Sequence, residues 1–156
     1  VSTEEKYDRL RRNIWTTPPM FFASQTVTQT LTTATLTTIT FTSVANDNYG
    51  GYNGTSTYTV QVAGWYWLTA QVQFASNATG VRIARAVING SGSAMLVHSV
   101  PANASQVLTP IVSGPILCAV GDTLLIQGYQ ASGGNLGTQV TGGYNSSWSL
   151  EWLRLP

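Results

Sequence analysis

Residues 64–74 read Gly-Trp-Tyr-Trp-Leu-Thr-Ala-Gln-Val-Gln-Phe, and no other part of the chain restricts its fold as strongly. Side chains along a β-strand point alternately to opposite faces. Tyr66, Leu68, Ala70, Val72 and Phe74 therefore share one face, while Trp65, Trp67, Thr69, Gln71 and Gln73 share the other. The first set is the better core face. The second places two indoles on one side of one strand. Either a second sheet covers them, or they form an apolar patch too large for a comfortable monomer. On the second alternative, Trp65 and Trp67 lie at an oligomer interface.

The other local signals after Met20 are also β. Residues 26–42 alternate Thr with Val27, Leu31, Leu36, Ile39 and Phe41. β-branched residues at period two favour half-buried strands. Asn48-Tyr49-Gly50-Gly51 and Asn53-Gly54 are turn signals. Gly64 divides 56–74 into two strands. Further strands are expected over 81–88, 95–100, 106–112, 116–120, 123–129 and 147–155. In the last of these Trp148, Leu150 and Trp152 share a face. Many short strands with Gly-rich turns, in a chain of 156 residues, predict a single all-β domain built as a sandwich or a barrel.

Charge is concentrated at the start. Glu4, Glu5, Lys6, Asp8, Arg9, Arg11 and Arg12 crowd the first dozen residues, and six charged residues cover the rest. Residues 1–19 are read as a short helical segment for attachment or oligomerisation, with 20–156 as the β domain. Ser2 and Glu5 have capping-box spacing. Tyr7, Leu10 and Ile14 form one apolar stripe, and Pro18-Pro19 ends the helix. A helix this short is marginal in water. It needs a partner: its own domain, its copies in an oligomer, or another protein. The competing reading is a frayed tail. The segment has no apolar leader region, so no signal peptide is expected. Val1 is compatible with an alternative start codon.

Chemistry-bearing residues are sparse. Charged residues make up 8% of the chain against about a quarter in ordinary domains. The net charge is +1 with no basic patch in the β region, which argues against nucleic acid. No stretch approaches the ~20 apolar residues of a membrane-spanning helix. Cys118 is the one cysteine, so it forms no intrachain disulfide and belongs to no four-Cys site; its apolar neighbours make it a core residue. His98 is also alone and reads as structural. Asp47, Asp122 and Glu151 are far apart in sequence, and Asp122 beside Gly121 suits a turn. Asn46-Asp47-Asn48 offers oxygens to Ca²⁺, but one carboxylate is too few for a tight site. Asn-x-Ser/Thr triplets at Asn53, Asn77, Asn89, Asn103 and Asn145 are taken as chance in a chain this rich in those residues. No enzymatic activity, cofactor or metal is expected.

From Phe41 to Phe74 the sequence resembles the C1q-like domain, a relative of the tumour necrosis factor jelly rolls. That signature runs from a Phe, through Asn or Asp and an aromatic, to Gly-x-Tyr-x-Phe. Phe41, Asn46, Tyr52 and Tyr58 fit its early part. Gly64-Trp65-Tyr66-Trp67-Leu68 fits its end, with Leu68 where Phe is usual. Met20-Phe21-Phe22-Ala23 resembles the opening strand, and Gly121-Asp122-Thr123-Leu124 the turn before a late one. The run from Trp148 to Leu153 resembles the last strand but lacks its glycine. The resemblance implies a ten-stranded, two-sheet antiparallel jelly-roll sandwich and a homotrimer, with Trp65 and Trp67 at the threefold interface.

The expected function is a trimeric, non-enzymatic structural or recognition module. A virion protein, such as a phage tail or fibre module, would use Tyr7, Leu10 and Ile14 to reach other virion proteins or its own copies. Tyr49, Tyr52 and Tyr144 are candidate ligand contacts, suited to stacking on a cell-surface glycan or protein. The alternative is a secreted C1q-like or lectin-like binding domain.

Overall fold

The computed structural model describes residues 4–5, 14–90, 92 and 94–156. The described strands are β1 (Met20–Ser24), β2 (Thr30–Leu31), β3 (Thr37–Thr38), β4 (Ser43–Asp47), β5 (Thr57–Thr59) and β6 (Gly64–Gln71), followed by β7 (Asn77–Ile88), β8 (Leu96–Asn103), β9 (Ile111–Cys118), β10 (Thr123–Gln130), β11 (Leu136–Gly137) and β12 (Ser147–Arg154). One five-stranded sheet has the order β4-β1-β12-β6-β9. The other runs β3-β10-β7-β8, with β5 also paired to β10. All these pairings are antiparallel. β2 and β11 form a small extra ladder.

The core follows from the pleat. Tyr66, Leu68, Ala70 and Val72 are buried, as are Trp148, Leu150 and Trp152 beside them in β12. From the opposite sheet Ala84, Ala86, Leu124 and Ile126 meet them. Trp148 is 0% exposed. Its ring stands edge-on to Phe21 at 5.0 Å and lies 5.8 Å from Phe41. Gly64 starts β6 at φ 155°, where a side chain would run into the Trp152 indole and the Arg154 carbonyl. Glycine there lets Trp152 close one end of the sandwich, donating its indole N–H to the Ala63 carbonyl at 3.2 Å.

Two expected strand assignments are corrected. Residues 106–112 and 116–120 are not separate strands; β9 is one continuous strand through Gly114 and Pro115. Those residues look like a break. However, β9 is an edge strand paired only to β6, and proline is tolerated at edges. β8, the edge of the other sheet, carries Pro101 in the same way. Residues 26–42 form only the two-residue strands β2 and β3, with Val27 and Leu36 exposed. Ala34 turns the chain at φ 56°. The Gln29 side chain replaces a neighbouring strand there. It donates to the Thr38 carbonyl at 2.8 Å and accepts from Thr40 N–H at 3.0 Å.

At the N-terminal end, residues 4–5 and 14–16 are helical. Tyr7 and Leu10 lie outside the described residues. Ile14 is half-buried against the sandwich core, and the Trp15 ring meets Trp152 edge-on at 5.7 Å. Asn48 holds the next stretch by donating to the Pro18 carbonyl and accepting from Met20 N–H, both at 2.8 Å.

Candidate functional site

The surface that stands out is the face of the β4-β1-β12-β6-β9 sheet turned away from the core. Residues paired across antiparallel strands sit side by side on one face, so the registers fix its layout in rows. Trp65 lies between Leu117 and Arg154. The next row is Met20, Glu151, Trp67 and Pro115. Then come Phe22, Ser149, Thr69 and Ser113, and finally Ser24, Ser147, Gln71 and Ile111. One end of the face is therefore apolar and the other is lined with hydroxyls. Met20, Phe22, Trp67, Ile111, Leu117 and Leu153 are each between 42% and 48% exposed. Trp65 is half-buried under the Arg154 guanidinium, which lies 5.7 Å from its ring centre. Trp67 is oriented by donating its indole N–H to Ser113 Oγ at 3.0 Å, and that hydroxyl also bonds Thr69 Oγ1 at 2.9 Å. Thus the second sheet leaves Trp67 uncovered. Gln73 departs from the expected pattern. It is buried because the loop before β12 folds over it, with Ser146 Oγ accepting its N–H and its own carbonyl taking Gln139 N–H.

The three candidate tyrosines do not converge. Tyr49 and Tyr52 lie beside the Met20 end of β1, where Asn48 bonds Met20. Tyr144 lies beyond the other end, where Gln25 bonds the Ser146 carbonyl. A five-residue strand separates these ends by roughly 15 Å. Tyr52 packs on Phe21 at 4.8 Å and donates its hydroxyl to the Phe41 carbonyl at 2.9 Å. Burial pushes that phenol up to about 12. Tyr49 donates to the Thr17 carbonyl at 3.1 Å. Tyr144 is the exposed ring of the three, next to Gly142 and Gly143.

The remaining polar candidates serve the backbone. Asp47 accepts Gly51 and Tyr52 N–H on its two oxygens. Asp122 accepts from the Asn89 amide and from Ala119 N–H, and these bonds hold its carboxyl below the ordinary value. His98 Nδ1 accepts Ile111 N–H at 3.0 Å, tying the edges of the two sheets together. Cys118 is buried, and its thiol is pushed up to about 12, first by burial and then by the Asp122 charge. Among the described residues no three His, Cys, Asp or Glu side chains come together as metal ligands. No helix among them is long and apolar enough to cross a membrane.

Sequence reasoning missed Met20, Phe22, Leu117 and Leu153 as members of the outward face. Met20 and Phe22 alternate with buried Phe21 and Ala23, a signal of the same kind as that in β6. Leu117 was hidden by the wrong division of β9.

Comparison with solved structures settles the fold. The globular domain of zebrafish complement 1qA protein superposes with a TM-score of 0.68 at 14% identity, over 88% of this chain and 99% of its own. Murine APRIL gives 0.68 at 12% identity, over 86% and 98%. The fold is the C1q and tumour necrosis factor jelly roll. Eiger TNF from S. frugiperda matches this jelly roll with a TM-score of 0.62 at 9% identity, over 88% and 95%. No family model matches the sequence, and no curated protein matches it. The jelly roll resemblance read from residues 41–74 therefore holds for the whole sandwich, at the level of fold.

Proposed function

We propose that the chain is a non-enzymatic recognition module that works as a homotrimer. The observation that carries this reading is the outward sheet face, where Trp67, Met20, Phe22, Leu117 and Leu153 remain exposed around Glu151. This much exposed apolar surface on one face marks an interaction site, and the jelly-roll resemblance favours three copies as its partners. Three equivalent loop sets would then engage a surface together and gain by avidity. Tyr144 is the tyrosine free to stack on a sugar ring, whereas Tyr49 and Tyr52 are occupied in holding the opposite end. The sparse and backbone-bonded carboxylates support the non-enzymatic reading.

The charged first dozen residues support attachment to a larger particle, and we take a virion, such as a phage tail or fibre, as the setting. A second reading, an extracellular binding domain, is favoured by the likeness to a complement protein domain. Neighbouring genes for virion structural proteins would support the first setting, and a leader-encoding segment ahead of Val1 the second. The assembly is tested by light scattering. The intact chain should give three times 16.7 kDa at micromolar concentration, and Trp67→Asp should give a folded monomer. A monomeric intact chain overturns the trimer.

A further inference from the structure

We infer that Glu151 of each copy pairs with Arg154 of the next copy around the trimer. This rests on the outward sheet face being the trimer interface, as proposed above.

Glu151 is the misfit on that face. It sits between Met20 and Trp67 in the most apolar row, and no ion pair holds it among the described residues. Closing an apolar interface over a lone carboxylate strips its water and returns nothing, so an unpaired charge there opposes assembly. The interface needs a cation aimed at Glu151. Among the described residues the arginines are Arg82, Arg85 and Arg154. Arg82 and Arg85 belong to β7 in the other sheet. Arg82 is fully buried and donates to the Asn77, Thr79 and Val81 carbonyls. Arg85 is bonded to Gln127 and the Gly92 carbonyl. Among the described residues Arg154 is the cation on the outward face, one row from Glu151.

Arg154 is also prepared for the task. Its guanidinium lies over Trp65, and none of its N–H donors is engaged in a hydrogen bond among the described residues. Those donors suit a carboxylate. Symmetry points the same way. A ring of identical copies is closed by head-to-tail contacts between two different patches of each copy. A face that carries one acid and one base, side by side and not paired with each other, supplies both halves of such a contact. Three repeats of the pair would then fix the rotation of each copy on its neighbour.

The test mixes two forms of the full chain, one carrying Glu151→Cys and the other Arg154→Cys, refolds them together and treats them with a short bis-maleimide. Cys118 is 2% exposed, so the added thiols are the ones within reach. A denaturing gel should show covalent dimers that contain one chain of each form. Linking of each form to itself in place of such mixed dimers overturns the inference. If light scattering shows a trimer but no chains are linked, the pairing is wrong and the trimer stands. If the intact chain is a monomer, both fall. Separately, Glu151→Arg and Arg154→Glu should each weaken assembly at least tenfold, and the double exchange should restore it. A double variant as weak as the singles overturns the pair.

Discussion

Trp148 and Trp67 stand on neighbouring strands of one sheet, β12 and β6, and they live in different solvents. Trp148 points inward, fully buried against Phe21 and Phe41. Trp67 points outward, 43% exposed with its N–H on Ser113. The same split separates Phe21 from Phe22 within β1. The pleat lets one strand pay into two accounts, fold stability on one face and, in the assembly proposed above, association on the other. Residue type does not tell the two apart; position in the alternation does. Inward and outward substitutions should therefore change different measurements.

The largest effect should come from Trp148→Ala, which removes the centre of the aromatic cluster. It should cost about 3–5 kcal/mol of folding stability by urea unfolding. Trp148→Phe should cost clearly less. It keeps a ring, and the buried indole N–H it removes has no hydrogen-bond partner. Equal losses from the two variants would show that the ring edge, and not the packed volume, holds the cluster.

Alkali should also act on the inward side. Burial pushes Tyr52 and Tyr58 from 10.0 to about 12 and Cys118 from 9.0 to about 12. A raised folded value favours the folded state fully only below the unfolded value. That contribution is lost as the unfolded chain ionises and the pH climbs toward the folded value. The urea midpoint should be flat up to pH 9 and fall between 9 and 12. A midpoint that holds to pH 12 would break the assignment. The smallest effect should come from Phe22→Ser on the outward side. At dilutions where copies are apart it should change unfolding by no more than about 1 kcal/mol. A core-sized loss would show that this face belongs to the fold.

Legibility in the sequence followed the range of the contacts. β6 and β12 could be read directly because period-two alternation of large residues is a local signal. The outward placement of Trp67 came with it. β9 could not be read, since its pairing to β6 across forty-odd residues overrides what Gly114-Pro115 suggests locally. The strand expected over 26–42 failed for the opposite reason: the Gln29 side chain satisfies backbone groups that a ladder would otherwise take. Packing of Ile14 and Trp15 on the sandwich, and the placing of Glu151 beside Trp67, depend on register and long-range contact. The carboxylate of Asp122 was partly legible, because a turn acid next to glycine already suggests amide bonding, whereas that of Asp47 was not, because its bonds to Gly51 and Tyr52 N–H depend on how the following loop folds back.

Pro115 and Pro101 carry a consequence beyond strand boundaries. Each stands in an edge strand, β9 and β8, and each deletes an N–H from a row that another chain's strand would need. Growth by adding strand to strand has no natural end and leads to fibres. Contact through a flat face arranged around an axis ends when the ring closes. With β8 and β9 blunted and its face left open, the molecule suits, in the assembly proposed above, a count of copies over a length of filament.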